Sequence, residues 1–252
     1  MQVFIKENTG AFSDALLKEA EALAVLDSAV KDLDACQIKI PRVLEVSEQQ
    51  LVLQKIESRA ASSEQMRLLG QSLARLHQVS YQDYGLDTDN YIGLNPQRNI
   101  MTNNWGEFFF EQRLIVQVSF IKDLNVRDEF SKILLKQKLS LINFLNQHCA
   151  HPGVVHGDLW SGNVLFDKEN VWLIDPALYY GDREVDLAMT EMFGVFSTEF
   201  YHGYDSVYPR TKAYSQKKQI YNLYHYLNHY NLFGDGYFKA CLDGLKSTDF
   251  LA

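Results

Sequence analysis

The chain has 252 residues, of which 46% are apolar, 22% charged and 13% aromatic, with a formal net charge of −8 at pH 7. This is the composition of a globular protein with a sizeable core, and the acidic balance disfavours nucleic acid or an anionic membrane as partner, since both demand clustered Lys and Arg. No apolar run approaches the roughly 20 residues that span a bilayer, and the opening "MQVFIKENTG" lacks the features of a signal peptide, so the expected location is the cytoplasm.

In chain order, "QVFIK" reads as a strand. "SDALLKEAEALAVLDS" reads as a helix with Leu16, Ala20, Leu23 and Ala24 on one stripe and Ser13 as its cap. "PRVLEV" and "QLVLQKI" follow as two strands joined by a polar turn. After residue 60 helices dominate. "SSEQMRLLGQSLARLHQV" aligns Met66, Leu69, Leu73 and Leu76, and Ser62 with Gln65 forms a capping box. Further helices are expected at about 105–121, 127–149, 184–198, 216–231 and 235–246. Between the second and third of these, "VLFDKENVWLI" reads as a hairpin. Cys36, Cys149 and Cys241 have no metal-ligand spacing and read as buried thiols. The expected class is α+β, with a small β-rich part at 1–57 and a large, mostly helical part at 58–252.

The stretch "VVHGDLWSGNVLFDKENVWLIDPALYYGDREVDLAM" (154–189) concentrates the chemistry. Moving the terminal phosphoryl of a nucleotide to a hydroxyl requires a carboxylate facing the acceptor and oxygen ligands for Mg²⁺. Asp158, after "VVHG", fits the proton acceptor; Asn163, five residues on, and Asp175, after "VWLI", fit the metal ligands. The same spacing separates the base and the amide ligand in the protein-kinase catalytic loop. Singly these residues are ordinary turn formers and caps. It is their joint order that points to phosphoryl transfer. His156 reads as an anchor of the loop, and Asp186 as a brace reaching it from the start of a helix.

Lys6 in "VFIK" and Glu19 in "KEAEAL" supply the second requirement, a strand lysine on the phosphates held by a helix glutamate. Glu21 is the rival partner, but it lies about 200° round the helix from Glu19, so only one of them faces Lys6.

The motif "HGDLWSGN", with tryptophan after Asp158-Leu159, together with "NYIGLNPQRN", "NWGEFFFEQRL" and "YNLYHYLNHYNLFG", resembles the fructosamine kinase (ketosamine-3-kinase) family, a branch of the aminoglycoside-phosphotransferase-like kinases. The resemblance runs from about residue 3 to 246. It implies a bilobal protein-kinase-like fold, ATP and Mg²⁺ as cofactors, and phosphorylation of the sugar 3-hydroxyl of ketosamines, either small molecules or glycated protein amines, as a repair of glycation. By motif, Asp158 is the base, Asn163 and Asp175 the metal ligands, and Lys6 with Glu19 the phosphate clamp. Trp160 is expected against the sugar, and His225 and Asn228 are expected to face the same cleft. Family members also carry strands with a glycine turn before the lysine strand. This chain begins five residues before Lys6, so the small lobe is expected to be truncated with an uncovered sheet edge. Either the sequence starts too late, the favoured reading because every downstream catalytic position is intact, or this is a natural form with a weakened nucleotide site. Two other readings therefore stay open at this point: a kinase for another hydroxyl, such as an aminoglycoside or choline, and a binding module without turnover. A protein kinase is disfavoured because "PALYYGDREVDLA" runs quickly into a helix and leaves little platform for a peptide.

Overall fold

The computed structural model describes residues 2–248; residue 1 and residues 249–252, at the outer ends of the two expected parts, lie outside them. In chain order the elements begin with β1 (Val3–Glu7), α1 (Ala15–Lys31), β2 (Ile38–Lys39), β3 (Val43–Val46), β4 (Gln50–Gln54) and α2 (Ser63–Gln78). Then come β5 (Asn90–Ile92), β6 (Asn95–Gln97), α3 (Trp105–Phe108), a π-helical segment Phe109–Ile115, α4 (Val116–Ser119) and α5 (Leu124–His148). The rest is β7 (Gly153–Val155), β8 (Val164–Phe166), β9 (Val171–Leu173), β10 (Tyr179–Gly181), α6 (Glu184–Met192), α7 (Thr198–Val207), α8 (Tyr214–Phe233) and α9 (Phe238–Lys246). None of the described helices is long and apolar enough to cross a membrane.

The first sheet has the order β1-β4-β3, all antiparallel, with Lys6 opposite Leu51. Alternation along β4 buries Leu51 and Leu53 in the same core as Leu16, Leu23, Leu26 and Val30 of α1. Two details of the expected helix are corrected. Ala24 faces solvent while Ala22 and Leu26 are buried, and the residue preceding the helix is Asp14, not Ser13. Asp14 makes no cap; its carboxylate instead accepts the Tyr91 hydroxyl, joining α1 to β5. The outer edge of β1 has no strand partner among the described residues, and Val3, Phe4 and Ile5 are about half exposed there.

β2 leaves this sheet and pairs parallel to β9, which forms the expected hairpin with β8. A core cluster containing Leu26, Leu51, Leu73, Val171, Leu173, Phe200 and Tyr204 therefore joins the strand-rich part to the hairpin. A second cluster is built on rings: Trp105, Phe108, Phe109, Phe110, Phe130, Tyr179, Tyr221 and Tyr224. Arg113, in the π-helical segment, is fully buried in it between the faces of Tyr179 (4.1 Å) and Phe108 (4.5 Å). Its guanidinium donates to Arg98 O (2.6 Å) and Asn99 Oδ1 (2.8 Å) and has no carboxylate partner among the described residues.

The Ser62–Gln65 capping box starts α2 as expected. The helix expected at 184–198 is instead two. Gly194 (φ +72°) and Val195 (φ +78°) both adopt left-handed backbone, which ends one helix and lets α7 begin at Thr198. α7 crosses α2 at two glycines: a Cβ on Gly70 would sit 2.1 Å from Phe200 O, and one on Gly203 would sit 2.2 Å from Arg67 O. Neither backbone can yield without separating the helices. Gly70→Ala is therefore expected to cost roughly 3 kcal/mol through overpacking, lowering the midpoint of a circular-dichroism melt by roughly 5–10 °C; a change within one degree would show that the helices part freely.

Candidate active site

The loop after β7 is held from behind. The Asp186 carboxylate, fully buried at the start of α6, accepts the backbone N–H of His156 (2.8 Å) and Gly157 (2.9 Å) and faces His77 Nε2 (3.3 Å). Burial alone would raise its pKa, but these donors hold it below the usual carboxylate value. Burial also keeps His77 neutral, so one proton arrangement satisfies every group: Arg183 donates to the Tyr204 oxygen, the Tyr204 hydroxyl donates to His77 Nδ1, and His77 Nε2–H donates to Asp186. His156 is likewise an anchor. Its Nε2–H donates to Ile174 O (2.9 Å), and its Nδ1 accepts the Asp158 N–H (3.3 Å). Gly157 turns the chain at φ +79°, where a Cβ would lie 2.1 Å from Ala177 O.

This scaffold fixes Asp158, and Asn163 Nδ2 donates to its backbone O (2.9 Å) and to its Oδ2 (3.3 Å). The amide oxygen of Asn163 has no protein donor among the described residues. Asp175, reached through the Ile174 N–H to Asn163 O bond (3.1 Å), sits in left-handed backbone at φ +53°, which turns its carboxylate toward the same space. Lys6 Nζ lies 2.7 Å from Glu19 Oε2 and 3.2 Å from Asp175 Oδ1, while Glu21 pairs with Lys18. Burial works to lower the Lys6 pKa, but the two carboxylates outweigh it and hold the ammonium charged. Burial pushes Glu19 up to about 7 against the pull of Lys6; the 2.7 Å contact favours the ionised pair. Burial also pushes Asp158 up to about 7, opposed by the Asn163 amide and assisted by the Asp175 charge.

Lys6, Glu19, Asp158, Asn163 and Asp175 line one cleft of about 310 Å³ with Trp160. No cluster of three or more His, Cys, Asp or Glu able to hold a metal ion exists among the described residues. One amide oxygen and one carboxylate nevertheless fit an ion that keeps waters and takes phosphate oxygens as further ligands, as Mg²⁺ does. The opposite wall was not foreseen as part of the site. It is the β5–β6 hairpin, with Asn90, Tyr91, Gly93 and Leu94. Its "NYIGLN" pattern marks a turn, but nothing in one sequence shows that the turn faces Asp158. The expectation for His225 and Asn228 is not met, since neither lines the cleft. Asn228 is buried and accepts from Asn95 Nδ2 (2.8 Å) and Gln117 Nε2 (3.3 Å), so it braces the hairpin. His225 is fully buried, and neither ring nitrogen has a partner.

A small antiparallel sheet over a helical body, with a strand lysine on a helix glutamate and an Asp/Asn/Asp loop below, defines a phosphotransferase of protein-kinase-like architecture. A solved streptomycin–ATP complex of an aminoglycoside phosphotransferase shares this fold, with a TM-score of 0.61 at 16% identity, covering 97% of this chain and 84% of that one. The chain belongs to the fructosamine kinase family, whose model matches residues 1–248, and it is accordingly an ATP-dependent phosphotransferase acting on a hydroxyl. A probable ketoamine kinase of Vibrio parahaemolyticus is 39% identical over 246 residues, covering 94% of this chain and 81% of the relative. A crystal structure from Haemophilus somnus, described as a fructosamine-3-kinase, superposes with a TM-score of 0.82 at 26% identity, covering 98% of this chain and 83% of that one.

The buried His225 generates a stability prediction. Burial, helped by the neighbouring His229 and Arg113 and opposed by the Asp186 carboxylate, depresses its pKa to about 3. Below the unfolded value near 6.5 the unfolded chain therefore binds a proton that the folded chain refuses; the His225 contribution is complete above that pH and is lost as pH falls. His225→Leu should gain stability relative to the parent as pH falls below about 6.5, with a slope that rises toward about 1.4 kcal/mol per pH unit near pH 5, read from urea melts; a gain independent of pH would contradict this account.

Proposed function

We propose that the chain transfers the γ-phosphoryl of ATP to the sugar 3-hydroxyl of ketosamines, fructosamines or ribulosamines, carried by amines of small molecules or of proteins. The observation that carries this reading is the convergence of Lys6, Glu19, Asp158, Asn163 and Asp175 on one cleft, in a chain whose relatives are named ketoamine and fructosamine kinases. Residues 1–57 supply the nucleotide side and residues 58–252 the acceptor side.

In this mechanism Lys6, charged and oriented by Glu19, holds the nucleotide phosphates from the strand side. Asp158 accepts the proton of the acceptor hydroxyl, whose oxygen bonds to the γ-phosphorus as the bond to the ADP oxygen breaks. Asn163 and Asp175 would hold Mg²⁺, which supplies charge neutralisation at the phosphates when bound. Asn163 also orients Asp158 through its amide N–H bonds. Trp160, at the cleft margin and 39% exposed, offers an indole face to the apolar side of the sugar. Three free thiols suit a reducing compartment, and we place the protein in the cytoplasm.

The test is ADP release with Mg²⁺-ATP against matched ribulosamine, fructosamine and aminoglycoside acceptors. Asp158→Asn is expected to lower kcat by about 10²–10⁴, the range for loss of a general base, with far-UV circular dichroism unchanged. Lys6→Met should raise KM for ATP more than KM for the ketosamine. Nucleotide binding by calorimetry with no turnover on any acceptor would favour a binding module, and turnover on the aminoglycoside alone would favour a different kinase.

A further inference from the structure

Beyond the cleft, a path of rings leads from the catalytic loop to the surface. Trp160 shares the cleft with Asp158 and packs its indole on Gly162, where a Cβ would come within 2.3 Å of the ring. The path continues edge-on to Phe193 (6.1 Å between centroids) and from Phe193 edge-on to His229 (5.4 Å). His229 stacks on Tyr237 (5.0 Å) and on Phe233 (5.5 Å). These rings come from the catalytic loop, the α6–α7 link, α8 and the turn after it, and Trp160, Phe193 and Phe233 are 39%, 41% and 67% exposed. A contiguous, half-exposed aromatic surface opening from a reaction cleft marks a binding surface more than a packing accident.

The chemistry of this surface is one-sided. Among the described residues no Lys or Arg lies over any of the five rings, and none of the five takes part in an ion pair. His229 is not a hidden cation. Its Nδ1–H donates to His225 O (2.7 Å), and its burial lowers its basicity. A carboxylate on this path would find no Lys or Arg over these rings among the described residues, and the cleft at its inner end carries the carboxylates of Asp158 and Asp175. Methylene groups, an aryl ring or an ammonium would find free ring faces. In a ketosamine the amine sits on C1, two carbons from the C3 hydroxyl that must reach Asp158, so a sugar seated against Trp160 would bring its amine limb within reach of these rings.

We propose that the rings of Trp160, Phe193, His229, Phe233 and Tyr237 form the subsite for the amine limb of the acceptor and select alkyl and aryl limbs over limbs that bear a carboxylate. The proposal rests on the ketosamine reading for the identity of the acceptor.

The experiment compares two ketosamines of one sugar, one derived from benzylamine and one from glycine, on the full chain and on Phe193→Ala/Phe233→Ala. Both steady-state turnover and calorimetric binding are measured, with thermal melts to confirm folding. The parent chain should favour the benzylamine adduct by about tenfold in kcat/KM and in Kd, as a ring-face contact provides, and the ratio should fall toward one in the double variant. Equal turnover of both adducts by the parent overturns the subsite and leaves the kinase reading intact. Selective binding without turnover does the reverse. A preference that survives in the folded double variant, or failure of the benzylamine adduct to bind, overturns the subsite.

Discussion

The Asp186 carboxylate accepts two consecutive backbone N–H groups and the His77 imidazole in a space that water does not reach. A carboxylate buried at that depth is tolerated only when its lone pairs are filled, so its three donors and its position are mutually enforcing. Everything that faces the cleft inherits this constraint. The two N–H groups belong to His156 and Gly157, immediately before Asp158; His77 ends α2, and through Tyr204 it reaches α7, which can lie close to α2 because Gly70 and Gly203 have no side chains. Removing the carboxylate would orphan two backbone donors and an imidazole together, a larger loss than one hydrogen bond. The Asp158 carboxylate is thus positioned by the packing of helices whose residues do not line the cleft.

The charge balance in the cleft is as uneven as the loop is rigid. Lys6 and Lys18 share the cleft lining with the carboxylates of Glu7, Glu19, Asp158 and Asp175, and burial raises Glu19 and Asp158 to about 7. A polyphosphate entering this space adds further negative charge. That excess gives the proposed metal donors their physical rationale: a divalent cation held by Asn163 and Asp175 would offset charge beside Asp175, which Lys18, paired with Glu21, does not reach. It also explains why Lys6 leans toward Asp175 in the protein alone, where the lysine is the only cation within reach of that carboxylate among the described residues.

Much of this site is legible in the sequence because phosphoryl transfer fixes both the types and the order of its residues. Asp158, Asn163 and Asp175 could be read from spacing, and Glu19 could be separated from Glu21 by helical phase alone. Elements set by local periodicity were likewise readable: the capping box of α2, the β8–β9 hairpin and the long α8. What escaped was set by distant contacts. The parallel pairing of β2 with β9 spans 133 residues of chain, from Ile38 to Val171, and a two-residue strand carries no periodic signal. Asp14 displaced Ser13 at the start of α1 because the Tyr91 hydroxyl engages it from the far wall of the cleft. His225 and Asn228 share a helical face near the site, yet that face points into protein; helical phase shows which residues lie together and not what they meet.

The contrast between the two ends of the cleft bears on how one chemistry can serve several acceptors. At the Asp158 end the loop is bonded within itself through Asn163 and from behind by Asp186, so a substitution there disturbs several bonds at once. At the Phe193 and Phe233 end the contacts are between ring faces and the surface is half exposed, so a substitution changes little beyond what lies against it. The two ends meet only at Trp160, whose indole is seated on Gly162 within the catalytic loop itself. On the proposed reading an acceptor's sugar is met where the geometry is rigid, and its amine where the surface is tolerant. Selectivity among amines can then shift through the rings while the placement of the hydroxyl against Asp158 stays fixed.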